Sequence, residues 1–184
     1  MTWYYLSLGS NIQPEQNMAR TIHTLSERFG TLLLLPIVRT SPCNMESNHD
    51  FLNSLVIIHS TLDAVALKTE FNKMEENAGR DRSDPERGTK DRPIDIDIIS
   101  NSKALSLAPF YSTYEPYCLV SLHALEQEAA GKLGNTVAVP LTSTQLVGER
   151  AATINANHSS GHIFVVEDTI DSLFQRLKTA FSSE

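Results

Sequence analysis

The segment Arg92-Pro-Ile-Asp-Ile-Asp-Ile-Ile99 constrains the fold more than any other part of the chain. Isoleucine and aspartate alternate strictly along it, and this period of two is typical of a β-strand. Such a strand buries its isoleucines in a core and places Asp95 and Asp97 on the opposite face, roughly 7 Å apart. We therefore predict a central strand whose two carboxylates open into a cleft.

Two adjacent carboxylates repel each other unless a cation lies between them, so the pair indicates a metal site. Mg²⁺ is the ion that favours one or two carboxylates together with substrate phosphates. Asp95 and Asp97 are accordingly the candidate metal ligands. The alternative is that the two aspartates simply form the solvated face of a strand.

The loop before this strand is rich in basic residues. Five of the chain's 15 lysines and arginines lie within thirteen positions: Arg80, Arg82, Arg87, Lys90 and Arg92. Cations beside a carboxylate pair predict a polyphosphate that is neutralised from both sides. Acidic residues alternate with these cations, which by itself is typical of a solvated loop, and we expect residues 80–90 to be mobile.

A helix is predicted before the basic loop, beginning at Thr61 or Asp63 and ending at Gly79. Glu75 and Glu76 lie on its last turn, where a carboxylate opposes the helix dipole. Each could contact a cation of the following loop, but solvation is the simpler interpretation for both.

The rest of the chain indicates alternating helices and strands. Further strands are predicted at residues 4–8, 32–38, 51–59 and 163–166, and further helices at 14–30, 119–131 and 170–181. The first strand ends at Gly9, where glycine permits dihedral angles closed to other residues. Asn53 shares a strand face with Phe51, and its amide needs a partner, either a ligand or neighbouring backbone. The segment from 142 to 161 has weak periodicity and is predicted to be linker-like.

Composition excludes several classes of protein. The chain has 184 residues, 41% hydrophobic and 20% charged, which suits a globular domain with a real core. The net charge of −7 argues against nucleic acid or an anionic membrane as a partner. Two cysteines, Cys43 and Cys118, are too few for a disulfide framework or a zinc site, so a cytoplasmic protein is expected.

Four motifs in register resemble the 6-hydroxymethyl-7,8-dihydropterin pyrophosphokinases of folate biosynthesis, over roughly residues 3 to 130. The motifs are Gly9-Ser10-Asn11, Phe51-Leu52-Asn53, Glu75 with Gly79-Arg80 and Arg82, and the segment from Arg92 to Ile99. The resemblance implies transfer of pyrophosphate from ATP to the hydroxymethyl group of the pterin, with release of AMP. It also implies an α+β fold with a ferredoxin-like core, in which helices flank a mixed or antiparallel sheet. Residues 1–142 would form this domain, and residues 143–184 a C-terminal strand–helix extension packed on it.

The resemblance also implies roles for individual residues. Two Mg²⁺ ions would bind Asp95 and Asp97, which would act in catalysis together with Arg82 and Arg92. The pterin-binding residues would be Thr40, Ser41, Phe51, Asn53 and Tyr117. The nucleotide-binding residues would be Glu75, Arg80, Arg82, Lys90, Arg92 and Ile98. The partners would then be small molecules, ATP and a pterin, bound by a monomer or weak homodimer.

Several positions depart from the family pattern. Thr89-Lys90-Asp91 replaces Trp-Gly-Pro, Pro109-Phe110 replaces Pro-His, and the basic residues expected near Leu105 and shortly before Tyr117 are absent. Glu115 stands in the last of these regions, where it would repel a triphosphate. Two alternatives to the enzyme therefore stay open: a catalytically silent relative that binds a pterin or nucleotide as a regulator, and a transferase with a different acceptor.

Overall fold

A computed structural model describes residues 2–42, 47–86, 88–132, 134–157 and 159–182. The first half contains β1 (Thr2–Ser10), α1 (Pro14–Phe29), β2 (Leu32–Leu34), β3 (Val38–Thr40), β4 (Phe51–Ser60), α2 (Ala64–Asn77) and β5 (Asp95–Ser102). The second half contains α3 (Ala108–Tyr111), α4 (Pro116–Ala129), β6 (Val139–Pro140), β7 (Leu146–Val147), β8 (Ala152–Ala156), β9 (Ile163–Glu167) and α5 (Ile170–Ala180). Within the described residues, no helix combines the length and the apolar character that crossing a membrane requires.

One antiparallel sheet organises the molecule. Its strands follow the order β5-β1-β4-β2-β8-β9, with β3 also paired to β4, and the short β6–β7 hairpin forms a separate sheet. The succession β1-α1-β2-β4-α2-β5 with this pairing is the ferredoxin-like arrangement. The predicted α+β fold is confirmed.

Helices cover both faces of the sheet, and side-chain alternation along the strands divides the core in two. On β1, Leu6 and Leu8 contribute to the core that packs against α1 and α2. Tyr5, one position before Leu6, contributes to the core on the other face, which includes residues of α4 and α5. The period of two thus places every second residue of β1, β4 and β5 on the face that carries α4.

The prediction that the aspartate strand is central is wrong, because β5 stands at one end of the strand order. The central position is taken by β1, which pairs with β4 on one side and β5 on the other. The outer edge of β5 is consequently turned toward α2, and this position matters for the site.

Two other predictions also need correction. The segment predicted to be linker-like contains β8, which pairs with β2 and β9, and its periodicity is weak because Ala152, Thr153 and Ile154 are all buried. The strand predicted at 32–38 is divided into β2 and β3 around Pro36, whose nitrogen cannot donate a ladder hydrogen bond. The division of the chain at residue 142 stays a prediction.

Candidate active site

A cavity of about 520 Å³ opens where β1 ends and where β4 and β5 begin. Most of its wall comes from the sheet face that carries α4 and from the N-terminal turn of α4. The cavity is lined by Ser7, Leu8, Gly9, Thr40, Ser41, Phe51, Asn53, Gly88, Arg92, Asp95, Asp97, Glu115, Pro116, Tyr117 and Val120. The predicted metal ligands and all five residues assigned to the pterin therefore meet in one place.

The strand register explains this convergence. Gly9 of β1 pairs with Asn53 on one side and with Asp95 on the other, and Ser7 pairs with Asp97 one row further along. A Cβ atom on Gly9 would lie only 3.1 Å from the Asn53 Oδ1 atom. Gly9 lies within β1, so the glycine is required by lack of space on the cavity floor and not by the unusual dihedral angles expected from the sequence.

One part of the wall combines aromatic rings with an amide. Phe51 is 8% exposed, and Tyr117 projects from the first turn of α4. The Asn53 amide nitrogen donates a hydrogen bond of 2.7 Å to the Thr40 hydroxyl oxygen, which leaves the amide oxygen above Gly9. Burial, with smaller effects from Cys118 and Glu115, raises the pKa of Tyr117 above its ordinary value.

Asp95 is neutralised by two arginines. Arg80 Nη1 contacts one carboxylate oxygen and Arg92 Nη1 contacts the other. Burial alone would raise the pKa of Asp95, but the hydrogen bonds and charges of the arginines outweigh it and hold that pKa below its ordinary value. Arg92 also lies near the aromatic wall, with its guanidinium carbon 5.8 Å from the centre of the Phe51 ring.

The expectation that Glu75 is solvated is wrong, whereas Glu76 is exposed as expected. The Glu75 side chain is 0% exposed and is contacted by Arg82 and, at 3.0 Å, by Arg80. It also accepts a 2.9 Å hydrogen bond from the backbone N–H of Ile96. Burial raises the pKa of Glu75, while the Ile96 and Arg80 interactions lower it by less. Glu75 is buried because the last turns of α2 pack against the outer edge of β5.

Sequence reasoning missed Lys68 of α2. Its ammonium nitrogen lies 2.9 Å from Asp97 Oδ1, 2.8 Å from the Ile96 carbonyl oxygen and 3.9 Å from Glu75 Oε1. The only signal in the sequence was the spacing of seven residues between Lys68 and Glu75, which places both on one face of a helix.

Asp91 departs from the family pattern and connects three segments around the cavity. The Asn11 side-chain nitrogen donates to Asp91 Oδ1 at 2.6 Å, and the His49 ring nitrogen lies 2.7 Å from Asp91 Oδ2. The Asn11 oxygen in turn accepts the Arg92 backbone N–H at 2.7 Å. The segment that carries Arg92 is thereby attached to the end of β1 and to the loop before β4.

Other predicted residues lie apart from the cavity. Lys90 pairs with Asp84 at 2.7 Å and with Glu86 at 3.0 Å on the exposed loop, and Ile98 packs against the core beside α2. Phe110, which stands where a histidine was expected, is fully buried and packs edge-on against Tyr5. Arg87 and Cys43 lie outside the described residues.

Comparisons with known proteins decide the family. The model of the family described as 7,8-dihydro-6-hydroxymethylpterin-pyrophosphokinase (HPPK) matches residues 5–128. The chain belongs to the HPPK family. It is also 36% identical, over 104 residues, to a 2-amino-4-hydroxy-6-hydroxymethyldihydropteridine pyrophosphokinase found in two strains of Porphyromonas gingivalis. The match covers 55% of this chain and 71% of each relative. The resemblance stated from the motifs is confirmed, and with it the prediction of a pyrophosphokinase of folate biosynthesis.

Magnesium, which the HPPK resemblance implies, can be tested against the side chains present. In the described part of the chain, no group of three or more His, Cys, Asp and Glu residues is arranged to hold a metal ion. Mg²⁺ does not require such a cage, because it takes one or two carboxylates and completes its shell with water and phosphate oxygens. Asp95 and Asp97, adjacent on the cavity wall, fit that demand.

Proposed function

We propose that this HPPK-family chain binds ATP and 6-hydroxymethyl-7,8-dihydropterin in the cavity and transfers the β,γ-pyrophosphoryl unit to the pterin hydroxymethyl group, releasing AMP. The observation that carries the proposal is that an acidic pair and two aromatic rings, Phe51 and Tyr117, open into one cavity beside an arginine cluster. A heterocycle and a polyphosphate can therefore bind side by side, which positions the reacting groups.

The aromatic wall is the proposed pterin side. Phe51 and Tyr117 would stack on the two faces of the ring, and the Asn53 amide oxygen would accept a ring N–H. The Asn53 amide is held in this orientation by its hydrogen bond to Thr40. Ser41 lines the same wall and would contact the pterin edge.

The arginine cluster is the proposed nucleotide side. Arg92, Arg80 and Arg82 would neutralise the phosphates, with Glu75 orienting the last two, and Lys90 and Ile98 are proposed to contact the nucleotide. Asp95 and Asp97 would hold two Mg²⁺ ions. When bound, these ions supply positive charge to the phosphates and align the hydroxyl for attack. We further propose a cytoplasmic monomer or weak homodimer with no nucleic-acid or membrane partner.

One observation favours the second candidate, a silent relative that binds a ligand without turnover. Glu115 lines the cavity, in the region where the family pattern has an arginine. A carboxylate there opposes a bound triphosphate. The test is calorimetric titration with a non-hydrolysable ATP analogue and Mg²⁺, with and without the pterin, combined with an assay of AMP release. Binding of both ligands with AMP release supports the enzyme, whereas pterin binding without nucleotide affinity supports the silent relative.

The pterin side can be tested by itself. Replacing Phe51 or Tyr117 with Ala should cost about 1–3 kcal/mol of pterin affinity, the range for stacking a base on an aromatic ring. Affinity for the ATP analogue should hardly change. Phe164→Ala is the matched control, because Phe164 is an exposed aromatic residue on β9. An equal loss of both ligands in the cavity variants would contradict the proposed stacking.

A further inference from the structure

Both backbone hydrogen-bonding groups of Ile96 are paired with side chains of α2, along the outer edge of β5. Its N–H donates to Glu75 at 2.9 Å, and its carbonyl oxygen accepts from Lys68 at 2.8 Å. The same Lys68 ammonium group contacts Asp97 at 2.9 Å. Because a main-chain oxygen fixes the position of this cation, Lys68 does not depend on Asp97 to stay in place.

Asp97 and Lys68 meet from opposite sides of β5. Asp97 lines the cavity and its side chain is 47% exposed, whereas Lys68 extends from α2 along the outer edge of the strand. Lys68 therefore acts on the cavity through Asp97 and not by contact with a ligand. That geometry makes Lys68 a positioning residue.

The charged side chains that the structure describes around β5 do not give the site a net negative charge. Four cations, Lys68, Arg80, Arg82 and Arg92, contact three carboxylates, Glu75, Asp95 and Asp97. The formal charge of this cluster is one positive. Glu115 on the cavity wall brings this sum to zero, so a free divalent cation finds no net attraction, whereas a cation that arrives with the phosphates of a nucleotide brings its own negative charge.

We propose that Lys68 holds the Asp97 carboxylate when no metal is bound and competes with a divalent cation for it. The site then takes Mg²⁺ together with a nucleotide and binds Mg²⁺ alone only weakly. This inference rests on the proposed function, because it assigns a metal to Asp97.

The experiment is a calorimetric titration with Mg²⁺ alone, without nucleotide, on the purified full chain. Lys68→Met removes the charge and keeps most of the side-chain volume, and should bind Mg²⁺ about tenfold more tightly than the wild type because a nearby unit charge has gone. Lys68→Arg should bind it like the wild type. Lys73→Met is the matched control, because Lys73 lies on the same helix and pairs with Glu70 at 3.6 Å.

Kinetics provides a second measurement. Lys68→Met should lower the Mg²⁺ concentration at which AMP release is half-maximal, because no lysine competes for Asp97, and should leave the KM for the pterin unchanged. Lys68→Gln keeps a donor for the Ile96 carbonyl and replaces Lys68→Met in both measurements should the latter not fold. A Lys68→Gln or Lys68→Met protein that binds Mg²⁺ no more tightly than the wild type would overturn the inference, as would a lack of Mg²⁺ binding by every variant. The titration needs no turnover, so a wild type that releases no AMP would contradict the proposed function and leave this test decisive.

Discussion

Two parts of one charged loop behave differently although their sequences look alike. Arg80 and Arg82 meet the fully buried Glu75, whereas Lys90 meets Asp84 and Glu86 on an exposed surface. In both parts cations alternate with carboxylates along the chain. The difference arises because the first part lies against the edge of β5 and the second does not.

Burial decides how much each group of charges stabilises the fold. Removing one partner of a buried ion pair leaves a charge without compensation, which costs several kcal/mol. Exposed pairs contribute little because water and salt screen them. The following variants test this difference, from the largest expected effect to the smallest.

Glu75→Ala should have the largest effect, about 3–5 kcal/mol of the free energy of unfolding. It leaves Arg82 without its carboxylate and the Ile96 N–H without its acceptor. Urea unfolding followed by circular dichroism measures the change. Glu76→Ala, on the exposed side of the same turn, is the control and should stay within about 0.5 kcal/mol of the wild type. Similar losses for the two variants would show that burial is not the cause.

Asp95→Asn should lower the free energy of unfolding somewhat less, by about 2–3 kcal/mol at neutral pH. The carboxylate is partly exposed, and Arg80 keeps Glu75 as a partner. The pKa of Asp95 is lowered in the folded protein. Its stabilising effect is therefore present above the unfolded value of about 4 and is lost as the pH falls through the folded pKa.

The pH dependence supplies the check on that variant. Unfolding free energies measured from pH 7 downward should fall more steeply below about pH 4 in the wild type than in Asp95→Asn. Parallel curves for the two proteins would show that Asp95 does not carry this stability.

Asp97→Asn should change the unfolding free energy by at most about 1 kcal/mol, because the pair with Lys68 is half exposed. It should nevertheless abolish Mg²⁺-dependent binding of the ATP analogue and the release of AMP. Melting curves with and without Mg²⁺ and the analogue separate the two effects. A large fall in Tm with an intact ligand response would contradict the metal assignment.

Lys90→Met should have the smallest effect, with no measurable change in the urea midpoint. Asp84 and Glu86 raise the pKa of the Lys90 ammonium group, but the side chain is exposed. A midpoint shift comparable to that of Glu75→Ala would remove the distinction between the two parts of the loop.

The sequence predicted local features well and pairings between distant segments poorly. The strand at 94–98 follows from alternation alone, whereas its edge position depends on how β1 pairs with β4 and β5. Lys68 was missed because it meets Asp97 across 29 positions of sequence. The strand β8 was missed because it is buried on both faces and so lacks the expected alternation.

The hydrogen bonds on Ile96 also affect the free edge of the sheet. A strand at the end of a sheet exposes N–H and C=O groups that can pair with a strand of another molecule. At Ile96, between the two aspartates, the N–H donates to Glu75 and the carbonyl oxygen accepts from Lys68. Loss of either side chain would leave one of these backbone groups without its partner on α2, at an edge where another strand could pair with it.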